Sequence, residues 1–253
     1  MTKFIRDVWL VFIRQVTLIL RNPVWIIVGV IQPLFFLLLF GPLVKGIPVA
    51  GVGGNQAYRF FVPGLLVQLA MFGTLFVGFA LIAELRAGVI ERMRVTPVSR
   101  VALLLGRSGR DVLTLLIQAG ILTALAVPFG LSVRLGDLAL AFALLALIAL
   151  LLSATSYAIA LKLRSEDALA PLLNMVVNPI LLLSGILLPM RLGPEWLRDI
   201  ARWNPFSWAV DAARALFAGN PGDPNVWKAL VIIGALAVAA AFWASRSFAR
   251  SVR

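Results

Sequence analysis

Apolar residues in this chain come in long uninterrupted blocks, not in the short periodic stretches of a soluble fold. A helix that crosses about 30 Å of hydrocarbon needs about 20 mostly apolar residues, each rising about 1.5 Å. Six stretches meet that requirement: 24–44, 62–83, 112–131, 138–161, 169–189 and 226–245. Five carry no charged residue; the sixth carries Lys228 near one end, where its ammonium can reach the interface. The pattern predicts an all-α integral membrane protein, a single transmembrane domain over 1–253 with six spans. No internal repeat relates the first three spans to the last three.

Segments outside the spans have patterns of their own. In 3–21, Lys3, Arg6, Asp7, Arg14, Thr17 and Arg21 share one arc of about 100° when the chain winds at about 100° per residue. Almost all the rest is apolar, which predicts an amphipathic helix lying along the membrane surface, as a lipid anchor or as a lever joined to the spans. Asn22–Pro23 ends it. The stretch 84–111 reads ELRAGVIERMRVTPVSRVALLLGRSGRD. Glu84, Arg86, Glu91, Arg92, Arg94 and Arg100 surround the small apolar set Val89, Ile90 and Met93, and Thr96–Pro97 breaks the helix. Such a segment suits docking into a partner's groove, with a solvated loop as the plainer alternative.

The stretch 190–225 opens a short helix at Pro194, Glu195 and Trp196, then a second one capped by Asn204 before Pro205. The second runs over 206–217 and stops at Gly219. With Trp196, Trp203, Phe206, Trp208 and Phe217 it reads as a re-entrant helical hairpin in the outer leaflet, either an anchor or a lid. The stretch 162–167, KLRSED, is a short connector.

Charge orients the spans. Of 23 basic residues, 15 fall on the side that holds both termini, among them Lys3, Arg14, Arg21, the six arginines from Arg86 to Arg110, Lys162 and Arg250. By the positive-inside rule both termini are cytoplasmic. Arg14 and Arg21 interrupt the N-terminal stretch, so it does not read as a cleavable signal. The net charge of +12 belongs to this asymmetry and gives no case for nucleic-acid binding.

Composition narrows the chemistry. The chain is 61% hydrophobic and 13% charged, with no Cys and no His, so thiol nucleophiles, imidazole bases and His–Cys metal sites are excluded. None of its four lysines follows a glycine, so there is no P-loop to cradle a nucleotide. Glu84 and Glu91 lie seven apart but sit among arginines, with no third carboxylate or histidine to complete a metal or acid–base site. The chain is therefore not expected to be an enzyme by itself, nor to hold a cofactor or metal. The spans offer no ionisable relay for a gradient-driven carrier, although unwound carbonyls can also bind ions.

Polar positions inside the spans remain. In the second span Gln68, Phe72, Phe76 and Phe79 share a helical face, and in the fifth Pro171, Asn174, Asn178 and Gly185 do the same. Amides in lipid need a partner helix or water. Either these faces line a weakly polar passage, or Asn178 satisfies carbonyls freed by Pro179 and the aromatics simply pack.

Three pieces carry a family likeness: IERMRVTPVSR ending at Arg100, NPILLLSGILLPM at 178–190 and PEWLRDIARWNPFSWAVDAARALF at 194–217. They resemble the membrane subunits (permeases) of type-2 ABC exporters, the daunorubicin-resistance-like group, and the likeness covers nearly the whole chain. The resemblance implies a permease that pairs with a second copy of itself or a related chain and with two copies of a separate ATP-binding subunit, where ATP and Mg are bound. By the same resemblance, 84–100 is the coupling loop, involving Glu84, Arg86, Gly88, Val89, Ile90, Glu91, Arg92, Met93, Arg94, Thr96 and Pro97. It makes 3–21 the connecting helix and 190–225 the outer re-entrant segment, with Trp196, Asn204, Pro205, Asp211 and Arg214. It turns Gln68, Phe72, Phe76, Asn174 and Asn178 toward the substrate path. The expected function is export of a hydrophobic or amphipathic small molecule across the bacterial cytoplasmic membrane. A carrier or channel, and an exporter of lipid-linked polysaccharide, stand as alternatives.

Overall fold

The computed structural model describes residues 2–45, 57–88, 99–186, 190 and 193–250. Ten α-helices are found among them: α1 (Thr2–Arg21), α2 (Val24–Lys45), α3 (Ala57–Leu75), α4 (Gly78–Arg86), α5 (Arg100–Ala126), α6 (Leu135–Leu163), α7 (Glu166–Leu183), α8 (Glu195–Ala201), α9 (Pro205–Phe217) and α10 (Pro224–Arg250). The described residues contain no strand. Six helical segments are long and apolar enough to cross a membrane, and each overlaps one predicted span: Ile26–Leu43, Ala57–Arg86, Val101–Phe129, Leu135–Leu163, Glu166–Leu183 and Pro224–Phe248.

The core is built round α3 and α6, and the closest pairing is α6 along α10. That pairing follows from small residues. Ala229, Ala237, Ala240 and Ala244 are buried on α10, and Ala141, Ala149, Ala154 and Ala158 on α6, so two long helices approach without bulky side chains between them. Every residue of α3 from 61 to 71 is buried, enclosed by α2, α5, α6 and α9. By contrast α7 lies at the edge and buries only Leu169, Leu173 and Val177, a single stripe at i, i+4 and i+8.

Two features differ from expectation. The third span does not begin near 112: α5 starts at Arg100, where the Ser99 hydroxyl accepts from the Ala102 N–H at 3.1 Å, and its first turns carry charge into the bundle. Arg107, Arg110 and Asp111, whose charges make this stretch read as loop, are there consumed by pairing, as described below. The second span is two helices, because α3 stops at Leu75 and α4 starts at Gly78. No proline lies at that break.

Candidate functional site

At one end of the bundle, α4 brings Glu84 and Arg86 to its last turn, and Gly88 follows with φ +66°, a conformation only glycine adopts freely. Val89, Ile90, Glu91, Arg92, Met93, Arg94, Thr96 and Pro97 lie outside the described residues. Arg107 of α5 donates to the Glu84 carboxylate, and Arg107 is almost wholly buried. Arg86 reaches the first turn of α7, 3.3 Å from Glu166. One turn deeper, Arg110 pairs with the adjacent Asp111, and the Tyr157 hydroxyl of α6 donates to the other Asp111 oxygen. Reading the sequence alone missed this cluster. Tyr157 lies in an unbroken apolar block, and Asp111 was counted as the end of a loop. The available signal was the run from Ser99 to Gly106, whose capping serine precedes an apolar stretch.

At the break in the second span the Ser156 hydroxyl of α6 enters the backbone ladder. It accepts from the Gly78 N–H at 2.9 Å and donates to the Leu75 carbonyl. The Phe79 N–H bonds to the Phe76 carbonyl at 3.2 Å, one residue short of the α-helical partner. Just above, the Thr74 hydroxyl bonds back to the Ala70 carbonyl at 2.6 Å. Insertion of a side chain into the i→i−4 ladder is a known cause of sharp kinks, and back-bonding by threonine adds to it.

The phenylalanines of the second span form a column. Phe72 and Phe76 stack at 6.1 Å, and Phe76 and Phe79 at 6.0 Å, all half-buried against the core. Gln68 is buried, and its Oε1 has no hydrogen-bond partner among the described residues. On α7 the arrangement is reversed: Asn174 and Asn178 are exposed, along with Pro171, Met175 and Val176. Asn174 bonds back to the Ala170 carbonyl at 2.9 Å.

At the opposite end of the bundle, Asn204 caps α9 as its sequence implies, its Oδ1 accepting from the Phe206 N–H at 3.0 Å, and Pro205 takes the first helical position. The Asn204 Nδ2 does a second job, donating to the Ile180 carbonyl at 2.8 Å. That carbonyl lacks its α-helical partner, because the Ser184 N–H turns to Leu181 instead. Arg214 of α9 completes the cap: it donates to the carbonyls of Gly185 (2.8 Å), Ile186 (3.0 Å) and Phe60 (3.3 Å) and lies flat over the Phe60 ring. Asp211 is 3.9 Å from it. Gly64 makes the junction possible, since a Cβ there would sit 2.7 Å from the Ile186 carbonyl oxygen. Trp196 and Trp203 are exposed, whereas Phe206 and Phe217 are buried, so the aromatics of this segment divide between surface and core.

The first helix has three faces. Gly106 and Gly109 of α5 receive it at Val11 and Phe12, so closely that a Cβ at Gly106 would lie 2.7 Å from Val11. Ile5, Trp9, Ile13 and Leu20 form an exposed apolar face, and Lys3, Arg6 and Arg14 an exposed charged one.

Six apolar crossing segments, a cluster of paired charges at one end and a capped helical pair at the other define a multi-pass membrane protein. Residues 6–218 match the ABC-2 type transporter family, and the chain belongs to it. The daunorubicin resistance ABC transporter permease protein DrrB1 of Streptomyces coeruleorubidus is 31% identical over 217 residues, 85% of this chain and 76% of that protein. The transport permease ycf38 of Pyropia yezoensis is 27% identical over 256 residues, 95% of this chain and 88% of its own. A multidrug ABC transporter permease of Escherichia coli, YbhR, is 23% identical over 183 residues, 70% of this chain and 48% of its own.

Proposed function

We propose that this chain is the membrane-spanning subunit of an ATP-driven exporter that moves a hydrophobic or amphipathic small molecule out across the bacterial cytoplasmic membrane. Both termini are cytoplasmic in this reading. Two copies of a separate ATP-binding subunit bind ATP and Mg and seat the 84–100 loop, and a second copy of this chain, or a related one, completes the path. The observation that carries the proposal is the face of α7. A polar side chain in hydrocarbon with hydrogen bonds left unmade costs roughly 2–7 kcal/mol; Asn174 returns one N–H to the Ala170 carbonyl, yet it and Asn178 are exposed one turn apart on a span that buries only one stripe. Such a face belongs against another chain or a wet passage, not against lipid. The phenylalanine column of the second span and the buried Gln68 supply the apolar part of that path. The names of DrrB1 and YbhR favour drug-like cargo.

The test is to extract the tagged chain gently, identify what co-purifies, and reconstitute it with an anthracycline, a fluorescent phospholipid and a hydrophilic sugar. The expected result is a stoichiometric P-loop ATPase and ATP-dependent movement of the amphipathic probes. Solute movement by the chain alone, with no ATPase in repeated preparations, would make it a carrier or channel.

A further inference from the structure

We infer that the second span is hinged at Leu75–Gly78 and that Ser156 is the residue that positions the hinge, so that α4 moves as a lever beneath a fixed α3. The inference rests on the exporter reading for its driving force, but its mechanical part stands on geometry alone. Four observations meet at one place. The ladder is interrupted between α3 and α4, and the two backbone groups flanking the interruption are satisfied by one oxygen, Ser156 Oγ. Thr74 bonds back to Ala70 on the turn above. Gly78 has no side chain to wedge the joint, and a Cβ there would meet Ser156 Oγ at 2.7 Å and the Ser156 carbonyl at 3.0 Å. The break falls between a helix buried on nearly all sides and one that buries only Gly78, Leu81 and Ile82. A hydroxyl that both donates and accepts can follow a bend, since rotation about its C–O bond re-aims the proton while the oxygen still receives the N–H.

What α4 holds at its far end explains what the lever would move. Glu84 is bound to the buried Arg107, so α4 and the start of α5 travel together with the loop that joins them. Arg86 meets Glu166 at the first turn of α7, with both side chains more than a third exposed. An ion pair so exposed is weak and can break and re-form. The lever is thus held firmly to α5 and loosely to α7, the span with the exposed asparagine face. A push on the docking loop pivots α4 about Ser156 and is passed to α7 through the Arg86–Glu166 contact.

The sequence contains no cysteine, so label pairs can be introduced without background. Ala83→Cys on α4 and Ala143→Cys on α6, both at exposed positions, span the joint. Gly73→Cys with Ala143→Cys is the control above the joint, and a Cβ at Gly73 meets nothing closer than 3.8 Å. Spin-label distances are measured for the full chain in lipid nanodiscs, with Ser156 intact and as Ser156→Ala. The expected result is a broadened or shifted distribution for the Ala83 pair on Ser156→Ala and no change for the Gly73 pair. Unchanged distributions for both pairs, or equal changes in both, overturn the hinge whether or not an ATPase partner exists. In the complex with its ATP-binding subunit, Ser156→Ala is expected to keep the ATPase rate while probe moved per ATP falls roughly tenfold, within the range of typical site-to-site coupling. Parallel loss of both activities with unaltered distances would instead make Ser156 a packing residue. If the wild-type complex neither hydrolyses ATP nor moves probe, the exporter reading fails and the nanodisc distances still decide the hinge.

Discussion

On α3 every position from 61 to 71 is enclosed by neighbouring helices, whereas on α7 only Leu169, Leu173 and Val177 are covered. Both spans are apolar, both contain prolines, and both carry amides. The difference lies in where the amide's environment comes from. Gln68 is enclosed by this chain, while Asn174 and Asn178 lie on its surface, Asn174 bonding back to the Ala170 carbonyl of its own helix. A span's composition therefore says that it enters the membrane, and its burial says whether its polar groups are internal structure or an unfinished surface. The two spans are joined at one end, where Arg214 and Asn204 cap α7 and Gly64 lets α3 approach it, so the buried helix holds the edge helix in register.

The contrast can be broken most forcefully at that junction. Arg214→Ala leaves the Gly185, Ile186 and Phe60 carbonyls without their charged donor, and a loss on the order of 3 kcal/mol is expected. Thermal unfolding in nanodiscs followed by tryptophan fluorescence measures it. Arg214→Lys should recover only part, because a compact ammonium lacks the planar, spread donors with which the guanidinium reaches the separate Phe60 and Gly185–Ile186 carbonyls. Gly64→Ala, which drives a methyl to 2.7 Å from the Ile186 oxygen, should cost about 1–3 kcal/mol in the same assay. Gly120→Ala on α5 has open space at its Cβ and should instead stabilise by about 0.5–1 kcal/mol. Asn178→Leu should change stability by less than about 0.5 kcal/mol while altering which probes are moved or the basal ATPase rate. Lost stability with unchanged probe preference would make Asn178 part of α7's own backbone repair, and the two spans would then differ less than proposed.

Much of the architecture could be read from the residues because hydrophobic length is a strong constraint. Each predicted span has its helix, Asn22–Pro23 ends α1, and Asn204–Pro205 starts α9. What could not be read depends on which helices lie side by side. Ser156 is one small polar residue in an apolar block until Gly78 is known to face it. Arg107 and Asp111 resemble loop charges until Glu84 and Tyr157 are seen to absorb them. Arg214 was picked out for its segment, but its hold on α7 joins residues 28 and 29 apart in sequence, beyond the reach of any periodicity.

The three-faced first helix bears on how the protein is made. Its packing site at Gly106 and Gly109 leaves the ribosome long after α1 does, several seconds later at typical elongation rates. During that interval nothing in the chain can cover Val11 and Phe12, and the charged face forbids burying α1 whole. An apolar face with basic neighbours gives the newborn segment a place to wait at the bilayer surface. Polar substitutions at Ile5, Trp9 or Ile13 would then lower the yield of inserted protein more than the stability of protein already assembled.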